Sequence, residues 1–188
     1  MTGGTDPKAL RALAHPLRWK LIDLIGSETT ATATRCAEVL GESVASCSYH
    51  LGMLAKYGYI EQEPERGGRE KPWRLTSPDQ DLRPLGLDAE GELAAEAALE
   101  VFLDHETERT KSRFRRAGLE PAPWQPTVSG TTTWLTEAEF ATVKHQLADI
   151  LERLSGRAGD PSQRPAGGRE VRLFFAASAA PPPGKEHG

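Results

Sequence analysis

The stretch VASCSYHLGMLAKYGYIEQEPERGGREKPWRLT, Val44 to Thr76, decides the fold. Val44, Cys47, Leu51 and Leu54 recur at helical spacing and share one face, while Ser46, Ser48, Tyr49, His50 and Lys56 lie partly or wholly off it. Tyr57-Gly58-Tyr59 ends that pattern. Two β-prone runs follow, YIEQEP and PWRLT, on either side of ERGGREK, whose glycine pair supplies the positive backbone angles of a hairpin tip. Pro64 and Pro72 place the pairing at a sheet edge.

Upstream, Ser43 is an N-cap for this helix and Gly41 sharply ends a shorter one, Arg35 to Leu40, capped by Thr32 or Thr34. Two helices joined by a glycine turn make a helix-turn-helix. Before them, Asp6-Pro7 starts a helix over Pro7 to Ala14, and His15-Pro16 breaks it, with His15 in a capping role. From Pro16 the residues Leu17, Leu21, Leu24 and Ile25 make a core stripe, widened by Trp19 and Ile22 and closed by Gly26. Four helices and a hairpin constitute a winged helix-turn-helix domain over residues 1–77.

Residues 78–118 read as a connector followed by a long helix, Glu90 to Arg116, with Leu93, Ala97, Val101 and Phe102 as its buried positions. Acidic residues open it and KSRFRR closes it, which suits the helix dipole. This alanine-rich helix reads either as a dimerisation element or as an intramolecular core helix. Residues 119–188 begin with the proline break GLEPAPWQPTVSG, where Trp124 and Trp134 are candidates for lining an apolar pocket. TTTWLT then leads into a helix with a Thr136/Glu139 capping box and an amphipathic stripe of Phe140, Val143, Leu147, Ile150, Leu151 and Leu154. SGRAGDPSQRPAGG reads as a flexible linker, EVRLFFAAS as a strand able to pair with TTTWL, and APPPGKEHG as a disordered tail. The expected architecture is mainly α with a small β component, ending in a β-α-β unit.

In 188 residues, 38% are hydrophobic and 27% charged, enough for one full domain and a smaller one. No apolar run approaches the roughly 18 residues needed to span a bilayer, and the first residues contain no signal-peptide hydrophobic region. Cys36 and Cys47 lack a C-x-x-C spacing and read as reduced thiols. Cytoplasmic residence is expected. The net charge of −4 is uneven, with +1 over residues 1–77 and −5 over the remainder, so the total does not exclude a nucleic-acid partner.

In a helix-turn-helix, the second helix enters the major groove, where short polar side chains reach base edges. Ser46, Ser48, Tyr49 and His50 occupy that position, and Arg66, Arg69 and Lys71 of the hairpin are placed to meet phosphates or a minor groove. Double-stranded DNA is the expected partner. No Walker loop, G-x-S-x-G elbow or H-E-x-x-H motif is present, and His145 reads as a surface residue of an amphipathic helix, so no enzymatic activity and no catalytic residue is expected.

ALAHPLRWKLIDLI, TATRCAEVLGESVASCSYHLGMLAKYGYIE and GGREKPWRLT resemble the arsenical-repressor (ArsR) family of bacterial winged helix-turn-helix regulators, more closely its metal-independent actinobacterial-type branch. The resemblance covers about residues 7–77, most specifically in AHPLR and in S-x-S-Y-H-L-x-x-L-x-x-x-G. It implies a homodimeric regulator, a repressor on a palindromic operator, with DNA-reading positions at Val44, Ser46, Ser48, Tyr49 and His50 and wing contacts from Arg66, Arg69 and Lys71. Lys56, near the end of the same helix, joins this DNA-contact set. It also implies core roles for Cys36 and Cys47, with a redox pair as the sharper reading. The metal ligand sets of the family are not matched: Cys36 stands alone on its helix, and Asp104-His105 lacks a second histidine at family spacing. No metal or cofactor is expected. An effector or protein partner at the C-terminal part is the candidate control, and a protein-docking module without sequence-specific DNA binding is the alternative.

Overall fold

The computed structural model describes residues 6–63, 70–77 and 87–180. The hairpin tip with Arg66 and Arg69, most of the connector after Ser77, and the tail beyond residue 180 lie outside the described residues. The described chain is mostly helical with one two-stranded sheet.

Helix α1 spans Pro7–Leu13, with Asp6 accepting the Lys8 amide and proline at the first turn. Helix α2, Pro16–Glu28, is capped by His15, whose Nδ1 accepts the Leu17 N–H at 3.2 Å. It continues two residues beyond Gly26, the expected stop. A Cβ at Gly26 would stand 3.3 Å from Leu75 Cδ1, so this glycine lets a strand pack closely on the helix instead of ending it. Helix α3, Ala33–Leu40, is capped by Thr32 and ends at Gly41 in the left-handed conformation, φ 69°. Helix α4, Val44–Lys56, begins at Ser43.

Strands β1 (Ile60–Gln62) and β2 (Trp73–Leu75) pair antiparallel with Ile60 opposite Leu75 and Gln62 opposite Trp73. Trp73 also exchanges backbone hydrogen bonds with Ala31, at 2.8 and 3.0 Å, tying the hairpin to the α2–α3 loop. The core beneath these elements contains Leu13, Leu21, Ile25, Cys36, Cys47, Leu51, Leu54 and Ile60, all buried. Burial of a leucine such as Leu51 or Leu54 contributes about 1.5–3 kcal/mol. Two side-chain bonds fasten α1 to this body: Trp19 Nε1–H donates to the Leu13 carbonyl at 2.8 Å and Tyr59 O–H to the Ala9 carbonyl at 2.9 Å.

Helix α5, Ala89–Arg115, forms where expected but presents another face. Its buried residues are Gly91, Ala94, Ala95, Ala98 and Glu106, whereas Leu93 is 67% exposed and Ala97, Val101 and Phe102 are half-buried. The alanines admit close approach of α1, where Leu10 packs on Ala94 and Ala95. Asp23 of α2 anchors the middle of α5 through His105 at 2.7 Å and Arg109 at 2.6 Å.

The expected C-terminal β-α-β unit is not formed in the described residues. Helix α6, Glu137–Gly159, has its Thr136/Glu139 capping box and extends into the expected linker. TTTWLT and EVRLFFAAS run without strand pairing on either side of it. The second segment is instead engaged by α5: Arg172 binds Glu106 with two hydrogen bonds at 2.5 and 3.1 Å, Glu170 meets Arg109 and Arg113, and Phe174 lies edge-on to Phe102 at 6.0 Å. The amphipathic stripe of α6 is only half-covered, with Leu151 and Leu154 exposed. No described helix is long and apolar enough to cross a membrane.

Candidate nucleic-acid interface

The start of α4 is built by two local devices. Gly41 reverses the chain in the left-handed region, and the Ser43 hydroxyl accepts the Ser46 amide at 3.0 Å while its carbonyl accepts that of Cys47. No acidic residue occupies the first turn, so the positive end of the helix is left available to a phosphate. Cys47, Leu51 and Leu54 turn inward. Val44, Ser48 and Tyr49 turn outward, with Tyr49 62% exposed, and Ser46 is half-buried.

Val44, Ser48 and Tyr49 therefore lie on the exposed side of the first turns with Ser46 at its edge, although Val44 leaves the buried stripe to which its spacing assigned it. Lys56 is also exposed, with its ammonium 5.4 Å from the Tyr57 ring centre, but it lies about 18 Å along the helix from Val44 at 1.5 Å per residue. It is not gathered with the cluster.

His50 is placed differently from the expectation, being buried with 9% exposure. Arg18 Nε donates to His50 Nδ1 at 3.3 Å, which requires that nitrogen to be unprotonated. The His15 ring lies 4.3 Å away and the Tyr49 ring meets His50 edge-on at 5.1 Å. Burial, then the neighbouring His15 and Arg18 charges, lower the His50 pKa, with Glu42 acting in the opposite sense. The ring is thus held neutral behind Tyr49 and braces the exposed face from inside. Arg18 was the residue that sequence reading missed; its place between the core side chains Leu17 and Trp19 was the available signal.

The hairpin leaves from the C-terminal end of α4, where the Tyr59 N–H donates to the Leu54 carbonyl at 3.0 Å. Glu61 and Arg74 bridge its strands at 2.6 Å, Thr34 of α3 donates to Glu70 at 2.8 Å, and Lys71 is exposed at the start of the returning strand. Arg66 and Arg69 lie outside the described residues. Cys36 and Cys47 are both fully buried, as packing residues would be, and burial together with the proximity of Cys47 pushes the Cys36 thiol up to about 11. A protonated thiol is a poor nucleophile. Trp134 is 92% exposed and Trp124 carries the Arg169 guanidinium 5.3 Å over its ring, so the two tryptophans do not build the expected pocket.

No family model matches this sequence, and no curated protein does. Solved structures with some likeness include the reduced form of MarR from E. coli, 20% identical over 71% of this chain and 75% of its own, with a TM-score of 0.32. ZitR from Lactococcus lactis is 20% identical over 76% and 83%, with a TM-score of 0.33. A mutant of E. coli MarR complexed with operator DNA is 19% identical over 75% and 84%, at 0.32. Likeness at this level carries no conclusion about the present chain.

Proposed function

We propose that this protein is a sequence-specific DNA-binding transcriptional regulator of the ArsR-like kind, a homodimeric repressor acting in the cytoplasm. The observation that carries the reading is α4: capped at Ser43, anchored by Cys47, Leu51 and Leu54, turning Val44, Ser48 and Tyr49 outward, and followed by a two-stranded hairpin. In the complex, the N-terminal half of α4 enters the major groove, Ser48 and Tyr49 meet base edges, and the first-turn amides meet a phosphate. Lys71, Arg66 and Arg69 of the hairpin contact the backbone. His50 is a positioning residue in this scheme, and Lys56 contacts a phosphate outside the base-reading cluster. Two copies place two such helices about 34 Å apart on a palindromic site, and occupancy blocks a promoter. The exposed leucines Leu93, Leu99 and Leu103 of α5 support a second copy as the partner of that helix. No catalytic step, metal or cofactor enters the mechanism.

The test is binding of the purified protein to genomic fragments from around its own gene over a salt series, with the Arg66/Arg69/Lys71→Ala variant in parallel. A preferred palindromic fragment is expected, and the variant should flatten the slope of log K against log salt by about 0.9 for each phosphate it no longer neutralises. Absence of any preference over competitor DNA, with an unchanged variant, would replace the regulator by a protein-docking winged helix.

A further inference from the structure

A cleft of about 190 Å³ lies where α1, the first turn of α2 and the C-terminal half of α4 meet, lined by Lys8, Arg11, Ala12, Arg18, Met53 and Tyr57. Three of its six lining residues are cations and none is an acid. Arg18 is the unusual one, for the residue as a whole is only 8% exposed yet has no carboxylate within ion-pair distance among the described residues. Nη1 donates to the Ala12 carbonyl at 2.6 Å and lies 3.5 Å from that of Arg11, while Nε donates to neutral His50. Nη2 has no hydrogen-bond partner among the described residues and, since no buried polar side-chain atom there lacks one, it reaches the solvent.

A buried cation without a counter-ion is costly, and proteins normally pair it. The end of α1 supplies part of the missing negative charge, but a helix terminus is worth at most about half an elementary charge and α1 has only seven residues. Burial lowers the Arg18 pKa, the sign expected of a desolvated cation lacking its counter-ion. Arg11 is drawn toward Glu90 at 2.8 Å, which leaves Lys8 and Arg18 as the charges available to an incoming anion. Met53, Ala12 and the Tyr57 ring supply an apolar wall beside them.

We propose that this cleft binds a small organic anion, a phosphate monoester or carboxylate with a compact apolar body, whose acid group pairs with Arg18 and is flanked by Lys8. A duplex phosphate is the other source of the same chemistry, but Arg18, with 8% of its surface exposed, offers more to a small molecule's acid group than to a rigid backbone. The bound anion sits behind His50, which touches both Arg18 and Tyr49, so the site is joined to the exposed face of α4 by two direct contacts.

Calorimetric titration of the full chain with phenyl phosphate at constant chloride, with benzyl alcohol as the neutral control, tests the site without DNA. Its failure and that of the regulator reading are therefore separate results. Saturable binding of one phenyl phosphate per chain is expected, with none of the alcohol. Lys8→Ala, at an exposed position, should weaken it about two- to fivefold. Met53→Glu would place a carboxylate in the cleft; it should abolish the binding and raise the melting temperature by giving Arg18 its counter-ion. Absence of saturable binding to the wild type, equal binding by Met53→Glu, or a role of Lys8 seen only in DNA affinity would overturn the proposal.

Discussion

His50 shows how one buried side chain makes stability depend on pH. Its ring accepts a hydrogen bond from Arg18 and lies against His15, so protonation would set a positive charge against the Arg18 guanidinium, with Glu42 acting in the opposite sense. The folded pKa lies below the ordinary value of 6.5, chiefly through burial. The unfolded chain therefore takes up a proton that the folded chain refuses. The stabilisation is fully present above pH 6.5 and is lost as pH falls through the folded value. Melting temperatures between about pH 7.5 and 5.5 should consequently fall more steeply for the wild type than for His50→Gln, measured in the same buffers. Parallel slopes would show that His50 is reached by water and is not held neutral.

At the scale of elements, α5 separates what a sequence pattern carries from what packing decides. Leu93 is the more hydrophobic residue, but Ala94, Ala95 and Ala98 are the ones α1 and the core cover, because small side chains let two helices approach. Ala95→Leu should accordingly cost about 1–3 kcal/mol through overpacking, and Leu93→Ala less than about 0.5 kcal/mol in the isolated protomer. Urea midpoints measured at low protein concentration would show it; the reverse order would mean that α5 is rotated about its axis. The starts of α1, α4 and α6 and the end of α3 were legible because their determinants are local: Asp6-Pro7, Ser43, the Thr136/Glu139 box and Gly41. The exposed polar cluster on α4 was legible for the same reason. Burial of His50 was not, since its partner Arg18 is thirty-two residues away. β-propensity likewise misled at EVRLFFAAS, because a strand exists only with a neighbour to pair with, and α5 engages Arg172 and Phe174 first.

Across the whole molecule, residues 169–175 return to lie along α5, more than 50 residues after that helix ends. Their contacts are mostly ionic: Arg169 with Glu120 at 2.8 Å, Glu170 with Arg109 and Arg113 at 3.1 and 3.2 Å, and Arg172 with Glu106. The first two sets are partly exposed and contribute little individually. Glu106 differs, being 1% exposed, so its carboxylate depends on Arg172 for compensation in a way that a surface acid does not. Removing one member of such a pair costs about 3–5 kcal/mol, and here about 3 kcal/mol is the better expectation because Arg172 is half-exposed and its departure admits water. Arg172→Ala should therefore lower the urea midpoint strongly, and Glu106→Met in the same chain should restore most of it, since the double variant leaves no buried charge behind. Both single variants and the pair form a cycle whose coupling belongs to this contact alone. A coupling near zero would show that residues 169–175 leave α5 in solution.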